Sequence, residues 1–429
     1  MTATVYVVHA VDVEGPMTET IDATFSRMYD DGLPRDFRPD AQTLKNIQSK
    51  NIDNLDDDLL DILSAKYSEH LATYMNNWSE INHNIRKATS SRFRSFYKDD
   101  FQKPYLYSWF IYDHHDDFKL NPRMHEVGDS LIFDHYLNHI LHTDSCKNDG
   151  IYFHYHQSAI SGNALESATS WTTSTAYDRL IAKRIIDYGS YTDCFRAGLH
   201  IERNDLSHWL EMYIPFDLSC RSGFDYYSGS DFDWRNSPTS WRGWHPDWYD
   251  YRKAGTMKRH MFRCTDLYTY LHKLTTEEVE EAFTEALSTG SSLLVYYNHD
   301  YRDMSFEVEH AYSVLKSTSR QYPDVKFKYL TASLAASELH KLKRQQNKSI
   351  SIELIDGKFW FKTNYEIFGP QPFLAVKQHN QYYRDNCTKE DSNLWCFAPP
   401  DLSTVESIGV AACSPNGGYA IATTKLWNL

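Results

Sequence analysis

Short apolar runs, each followed by a stretch of helical period, recur over residues 1–342 and leave this chain few ways to fold. Val5-Tyr6-Val7-Val8, Tyr105 to Tyr112, Ile151 to His156, Cys194-Phe195, Leu293 to Tyr297 and Val325 to Leu330 read as strands. Helical spacing covers about 129–142, 174–188, 204–211, 275–288, 307–320 and a last stretch to about 342, with Thr275 and Glu278 spaced as a capping box. Parallel neighbours cannot be joined by a tight turn, so alternating strand and helix points to an α/β fold built from right-handed crossovers.

Two regions depart from that alternation. Residues 18–100 are polar and mostly helical in pattern, with Leu55, Leu59, Leu60, Ile62 and Leu63 at helical spacing behind Asp56 to Asp58. This reads as a helical insertion between the first two core strands. After the polar stretch Lys343 to Ser349, the segments Ile350 to Ile355 and Lys358 to Thr363 alternate on either side of Asp356-Gly357, a hairpin signal. Residues 350–429 are therefore expected to form a small antiparallel, sandwich-like β-domain after a domain spanning 1–342.

Composition narrows the function. A formal charge of −14 excludes non-specific binding to nucleic acid or anionic lipid, both of which require a basic surface. No run of about 18 apolar residues is present, so no membrane span is expected, and the lack of a charged-then-apolar leader reads as a cytoplasmic protein. The 7 cysteines show no C-x-x-C spacing, which fits reduced thiols. The 31 tyrosines and 11 tryptophans supply flat apolar faces with polar tips, suited to sugar rings and equally common in packed aromatic clusters.

Chemistry-bearing residues gather where the apolar runs end. Asp12 and Glu14 stand at i and i+2, so an extended backbone points both the same way. His154 and His156 share that spacing; two histidines and a carboxylate with an open position make a catalytic zinc set. Arg196 follows Phe195 and could hold a carboxylate in a two-pronged grip, and His299 closes its run where an imidazole could act as general acid. Each has an ordinary alternative: a helix cap or turn for the acids, a chance pair for the histidines, a salt bridge for Arg196, a turn for His299. His135 and His139 form a rival pair on a helix flank, and His114-His115 a loop pair. The irregular stretch from Cys220 to Tyr251 holds Trp241, Trp244, His245, Trp248 and Tyr251, which could line a sugar cleft or pack on one another.

Taken in order, Asp12-Val13-Glu14-Gly15, the histidine pair, Phe195-Arg196-Ala197-Gly198 with Leu210 and Phe216-Asp217-Leu218-Ser219, and the late His299 resemble the polysaccharide deacetylase (NodB-homology, carbohydrate esterase family 4) family, in its divergent bacterial members. The resemblance spans about residues 1–340 and does not reach the β-domain. It implies a distorted (β/α) barrel of about seven strands that removes an acyl group, N-acetyl above all, from a carbohydrate. It further implies a divalent metal, zinc, on Glu14, His154 and His156, with Asp12 as base, Arg196 holding that base and His299 as acid. The chain departs from the family pattern in three places. A valine separates the two acids, the histidines lie two rather than four apart, and only Asp231 or Asp233 could stand for a further aspartate. The alternatives kept beside this reading are a carbohydrate-binding protein that has lost hydrolysis and a glycoside hydrolase using Asp12 with a second acid.

Overall fold

The computed structural model describes residues 2–112, 130–156, 175–222, 232–269 and 272–426. Nine parallel strand segments form its centre: β1 (Ala3–Val13), β2 (Ser108–Tyr112), β3 (Gly150–Tyr155), β4 (Cys194–Ala197), β5 (Phe216–Cys220), β6 (His260–Arg263), β7 (Thr265–Asp266), β8 (Ser291–His299) and β9 (Val325–Tyr329). Only Cys264 separates β6 from β7; β6 pairs with β5 and β7 pairs with β8, so this segment joins the two ends of the sheet. Counting β6 and β7 as one position and leaving β9 aside, the ring has seven positions, as expected of the barrel. β9 lies beside the first half of β1, at Ala3 to Val7, and β2 beside the second, at Ala10 to Val13.

Side chains alternate across each strand, and burial on both faces explains why the runs are apolar without interruption. Val8 and Ala10 of β1, Tyr152, Cys194, Leu218, Phe262, Val295 and Tyr297 fill the barrel interior. The helix Ala332–Leu339 adds Ala332, Ala335 and Leu339 to that cluster and plugs the end where the strands begin. Val5, Val7, Val11, Leu294 and Tyr296 face outward, under Ile81, Val279, Phe283 and Val308 of the surrounding helices. The floor is thus mainly apolar, with Ser108 accepting the Ala332 amide of the plug, and the charged and imidazole side chains Asp12, His154, Arg196 and His299 stand at the far rim.

β1 and β8 run longer than their apolar cores suggest, and β5, β6 and β7 lie in chain that shows no strand signal. Those three have five, four and two residues, too few for a period to emerge. The helix expected at 129–142 is α-helical over Leu131–Tyr136 and π-helical over Leu137–Leu141; its first position, 129, like residue 174, lies outside the described residues.

In the insertion, the helices Ile21–Asp30, Ala41–Gln48 and Asp57–Lys66 enclose a core of their own around Phe25, Ile47 and Leu63. The helix Trp78–Thr89 instead sends Ile81, Ile85 and Ala88 into the barrel's outer core. The C-terminal strands are β10 (Ile350–Ile355), β11 (Lys358–Thr363), β12 (Phe373–Gln378), β13 (Gln381–Asp385), β14 (Thr388–Asp391), β15 (Leu394–Phe397), β16 (Val405–Cys413) and β17 (Tyr419–Lys425). They form two antiparallel sheets, β10-β11-β15-β14 and β13-β12-β16-β17, around Phe359, Phe361, Leu374, Ile408 and Val410. Asp356 and Gly357 in the first hairpin turn have φ of 50° and 74°, the left-handed pair that a two-residue turn requires. Among the described residues no helix is long and apolar enough to cross a membrane.

Candidate metal centre and active site

Asp12 lies inside β1 and Glu14 one residue beyond its end, and their parity turns both carboxylates into the rim. Through the same alternation, β3 presents His154 and, just past its end, His156. Glu14, His154 and His156 are buried, and among the described residues they are the group whose donor atoms gather closely enough for a metal ion. His154 Nε2 is 3.1 Å from His156 Nε2, and Glu14 Oε1 is 3.2 Å from His156 Nε2 and 3.7 Å from His154 Nε2. Ligands at 2.0–2.1 Å around a tetrahedral zinc ion stand about 3.3 Å apart, so the donor set fits such an ion in chemistry and in spacing. His154 Nδ1–H donates to the Arg196 carbonyl at 3.1 Å, which leaves Nε2 as the free nitrogen. Burial opposes ionisation of Glu14, but the two imidazoles hold its carboxyl well below the usual range.

Arg196 Nε donates to Asp12 Oδ1 at 2.7 Å and Oδ2 at 2.9 Å, and both residues are buried. Burial works against the charge on Asp12, yet Arg196 and His154 together lower its pKa, so a carboxylate stands there. The guanidinium is itself fixed on every side. It lies 3.9 Å from the Tyr297 ring centre, its Nη1 donates to the Leu218 carbonyl at 3.1 Å, and its Nη2 donates to His200 Nε2 at 3.0 Å. His200 Nδ1–H in turn donates to the Ser219 carbonyl at 2.9 Å, which sets the tautomer that can accept from Arg196. Leu199 and His200 have φ of 52° and 54°, an uncommon conformation for residues with side chains, held here by these bonds. His299 stands on the other side of Glu14, with Nε2 3.9 Å from Oε1, stacked on Tyr301 at 4.8 Å. Burial lowers its pKa to about 4, and its Nδ1 has no hydrogen-bond partner among the described residues.

Sequence reasoning passed over three supports of this cluster. Asp300, next to His299 in the chain, is buried and accepts the Glu14 and Gly15 amides at 3.0 Å each and the Tyr136 hydroxyl at 2.7 Å. It therefore clamps the turn that carries Glu14, and burial raises its pKa to about 7. Gly198 lies under His156, where an added Cβ would come within 2.2 Å of the ring. His200 buttresses Arg196, as described above. Asp300 and Gly198 adjoin motif residues, a signal open to inspection; nothing in the sequence links His200 to Arg196.

The five aromatic-stretch residues do not form one cleft. Trp241 is buried below Arg263, at 3.9 Å, and its carbonyl accepts the Leu293 amide, near the strand starts and six residues before His299 on β8. Trp244 packs with Phe232, Trp234 and Met261, and His245 lies against His260 at 4.1 Å. Trp248 and Tyr251 sit by the start of the helix Asn204–Tyr213, with Tyr251 against Trp234. Trp241 and Trp244 are buried in this packing, whereas Trp248 is 43% exposed. His9, three residues before Asp12 and so on the opposite parity, faces outward to Tyr105 and Asn298. His135 stacks on Trp78 at 3.9 Å, Asp233 pairs with Arg235 and Arg252, and His114, His115 and Asp231 lie outside the described residues.

No family model matches the chain, and no curated protein is similar to it. Two solved structures show slight likeness. One is a Parabacteroides distasonis protein named only provisionally, as a glycoside hydrolase/deacetylase, with 10% identity and TM-score 0.36 over 94% of this chain and 89% of that one. The other is a double mutant of a Cellulomonas fimi endo-β-1,4-mannanase, with 10% identity and TM-score 0.22 over 98% of this chain and 93% of that one.

Proposed function

We propose that the chain is a metal-dependent hydrolase that removes an acyl group, N-acetyl above all, from a carbohydrate or a sugar-containing biosynthetic intermediate. The observation that carries this reading is the convergence of Glu14, His154 and His156 beside an aspartate that a buried arginine keeps ionised. A divalent metal held by those three residues supplies Lewis acidity toward the acyl carbonyl and lowers the pKa of bound water from 15.7 toward ~7. Asp12, whose carboxylate faces the same space, takes the proton from the attacking water. Arg196 keeps that carboxylate oriented and anionic. His299, across Glu14 from the histidine pair, is neutral at rest because burial lowers its pKa to about 4, and once protonated during turnover it would give that proton to the departing amine, which separates acid from base. The neutral character of a sugar fits the acidic surface of the chain.

The test is acetate release from N-acetylglucosamine oligomers by the zinc-loaded protein, with metal content measured in parallel. Asp12→Asn is expected to lose turnover by about 10²-fold or more while keeping its metal. Loss of metal instead would exchange the roles of Asp12 and Glu14, and a wild-type protein that retains no divalent metal would remove the reading altogether.

A further inference from the structure

One residue past Glu14 the chain packs against the wall of a second recess. Gly15, at φ 76°, turns the chain so closely past the insertion that an added Cβ would lie 3.1 Å from Trp78 Cη2 and 3.4 Å from Ile132 Cδ1. That indole also lines a cavity of about 240 Å³, together with Leu131, Asp134, His135, Asn138 and His139. Its volume is below the usual 300–1,000 Å³ of a drug-sized pocket, so it holds something small.

The lining says what kind of molecule. Trp78 is fixed from one face by the His135 ring, at 3.9 Å and 26°, and His135 Nε2 is anchored 2.8 Å from Asn82 Oδ1. Leu131 is 50% exposed beside it, an aliphatic surface left open to solvent. Asp134, Asn138 and His139 add a carboxylate, an amide and an imidazole, and among the described residues the lining holds no lysine or arginine to favour an anion. Asn138 and His139 belong to the π-helical segment Leu137–Leu141, a rare conformation found mostly at functional sites because it re-aims side chains. A flat aromatic edge and an apolar patch, ringed by groups that donate and accept singly, match the ring face and hydroxyls of a neutral sugar.

We propose that this recess is a saccharide subsite, which holds a neutral sugar residue of the substrate other than the one that loses its acyl group. The proposal rests on the deacylase reading for the reacting end, but its own test is binding. Isothermal calorimetry and acetate release are measured on zinc-loaded full-length wild type, Trp78→Ala and Asn138→Ala, with N-acetylglucosamine and its tetramer as probes. Asn138 is exposed, so that variant keeps the fold if the tryptophan variant does not. Both variants are expected to bind the tetramer about tenfold more weakly and the monomer as wild type does, and to raise KM for the tetramer with kcat unchanged. Equal losses for both probes, no loss for either, or a wild type that binds the tetramer no more tightly than the monomer would overturn the subsite. Tetramer binding that depends on Trp78 without any acetate release keeps the subsite and defeats the deacylase reading. Acetate release with one KM for all three proteins does the reverse.

Discussion

At the scale of single residues, the site depends on atoms that leave room as much as on atoms that bond. Gly198→Ala puts a methyl within 2.2 Å of the His156 ring, and the ring must move away from Glu14. We expect zinc affinity to fall by about 10–100-fold, the usual effect of disturbing what orients a metal ligand, with an unchanged circular dichroism spectrum; a zinc titration reads it. The six residues of the core cluster were legible in the sequence because each follows an apolar run, and a strand ends where a barrel keeps its chemistry. The role of His200 was not, because it exists only across a gap between strands. The aromatic stretch left a sugar cleft and a packed cluster both open for a related reason: a tryptophan that stacks on a sugar and one that stacks on Arg263 look alike in one dimension.

Among elements, the clamp between β8 and the end of β1 matters most. Asp300→Ala leaves two buried amides and the Tyr136 hydroxyl without their acceptor. Stability is expected to fall by about 3 kcal/mol in urea unfolding, with weaker zinc binding because Glu14 loses its fixed turn. Long elements could be read from the chain. The helix Thr276–Thr289 carries its capping box, and the β10-β11 hairpin its Asp356-Gly357 turn. The short strands could not, because β6 and β7 are ordered by what lies on either side of them rather than by their own pattern.

For the whole molecule, the sandwich and the barrel share a core. Phe373, Ala375, Ala411 and Cys413 pack on Tyr177, Ile181, Ile185 and Trp209, so the second sheet is buried on both faces. A chain ending at Leu342 would expose that apolar patch, and we expect it to aggregate or oligomerise, as size-exclusion chromatography would show. Acid should also weaken the metal-free fold. His9 is fully buried with its pKa lowered to about 3, whereas the unfolded chain takes up a proton below about 6.5. A depressed histidine pKa favours the unfolded state as pH falls, so stability is full above 6.5 and declines toward 3. His9 alone lowers it by about 2 kcal/mol at pH 5 relative to pH 8, read from urea midpoints. Periodicity, parity and turn chemistry are local properties, and the sequence by itself determined the strand–helix alternation, the sandwich hairpin and which side chains face the rim. Closure through β6 and β7, the partners of Arg196, the clamp by Asp300 and the docking of the sandwich were decided only in three dimensions, because each joins residues far apart in the chain whose contact no local pattern encodes.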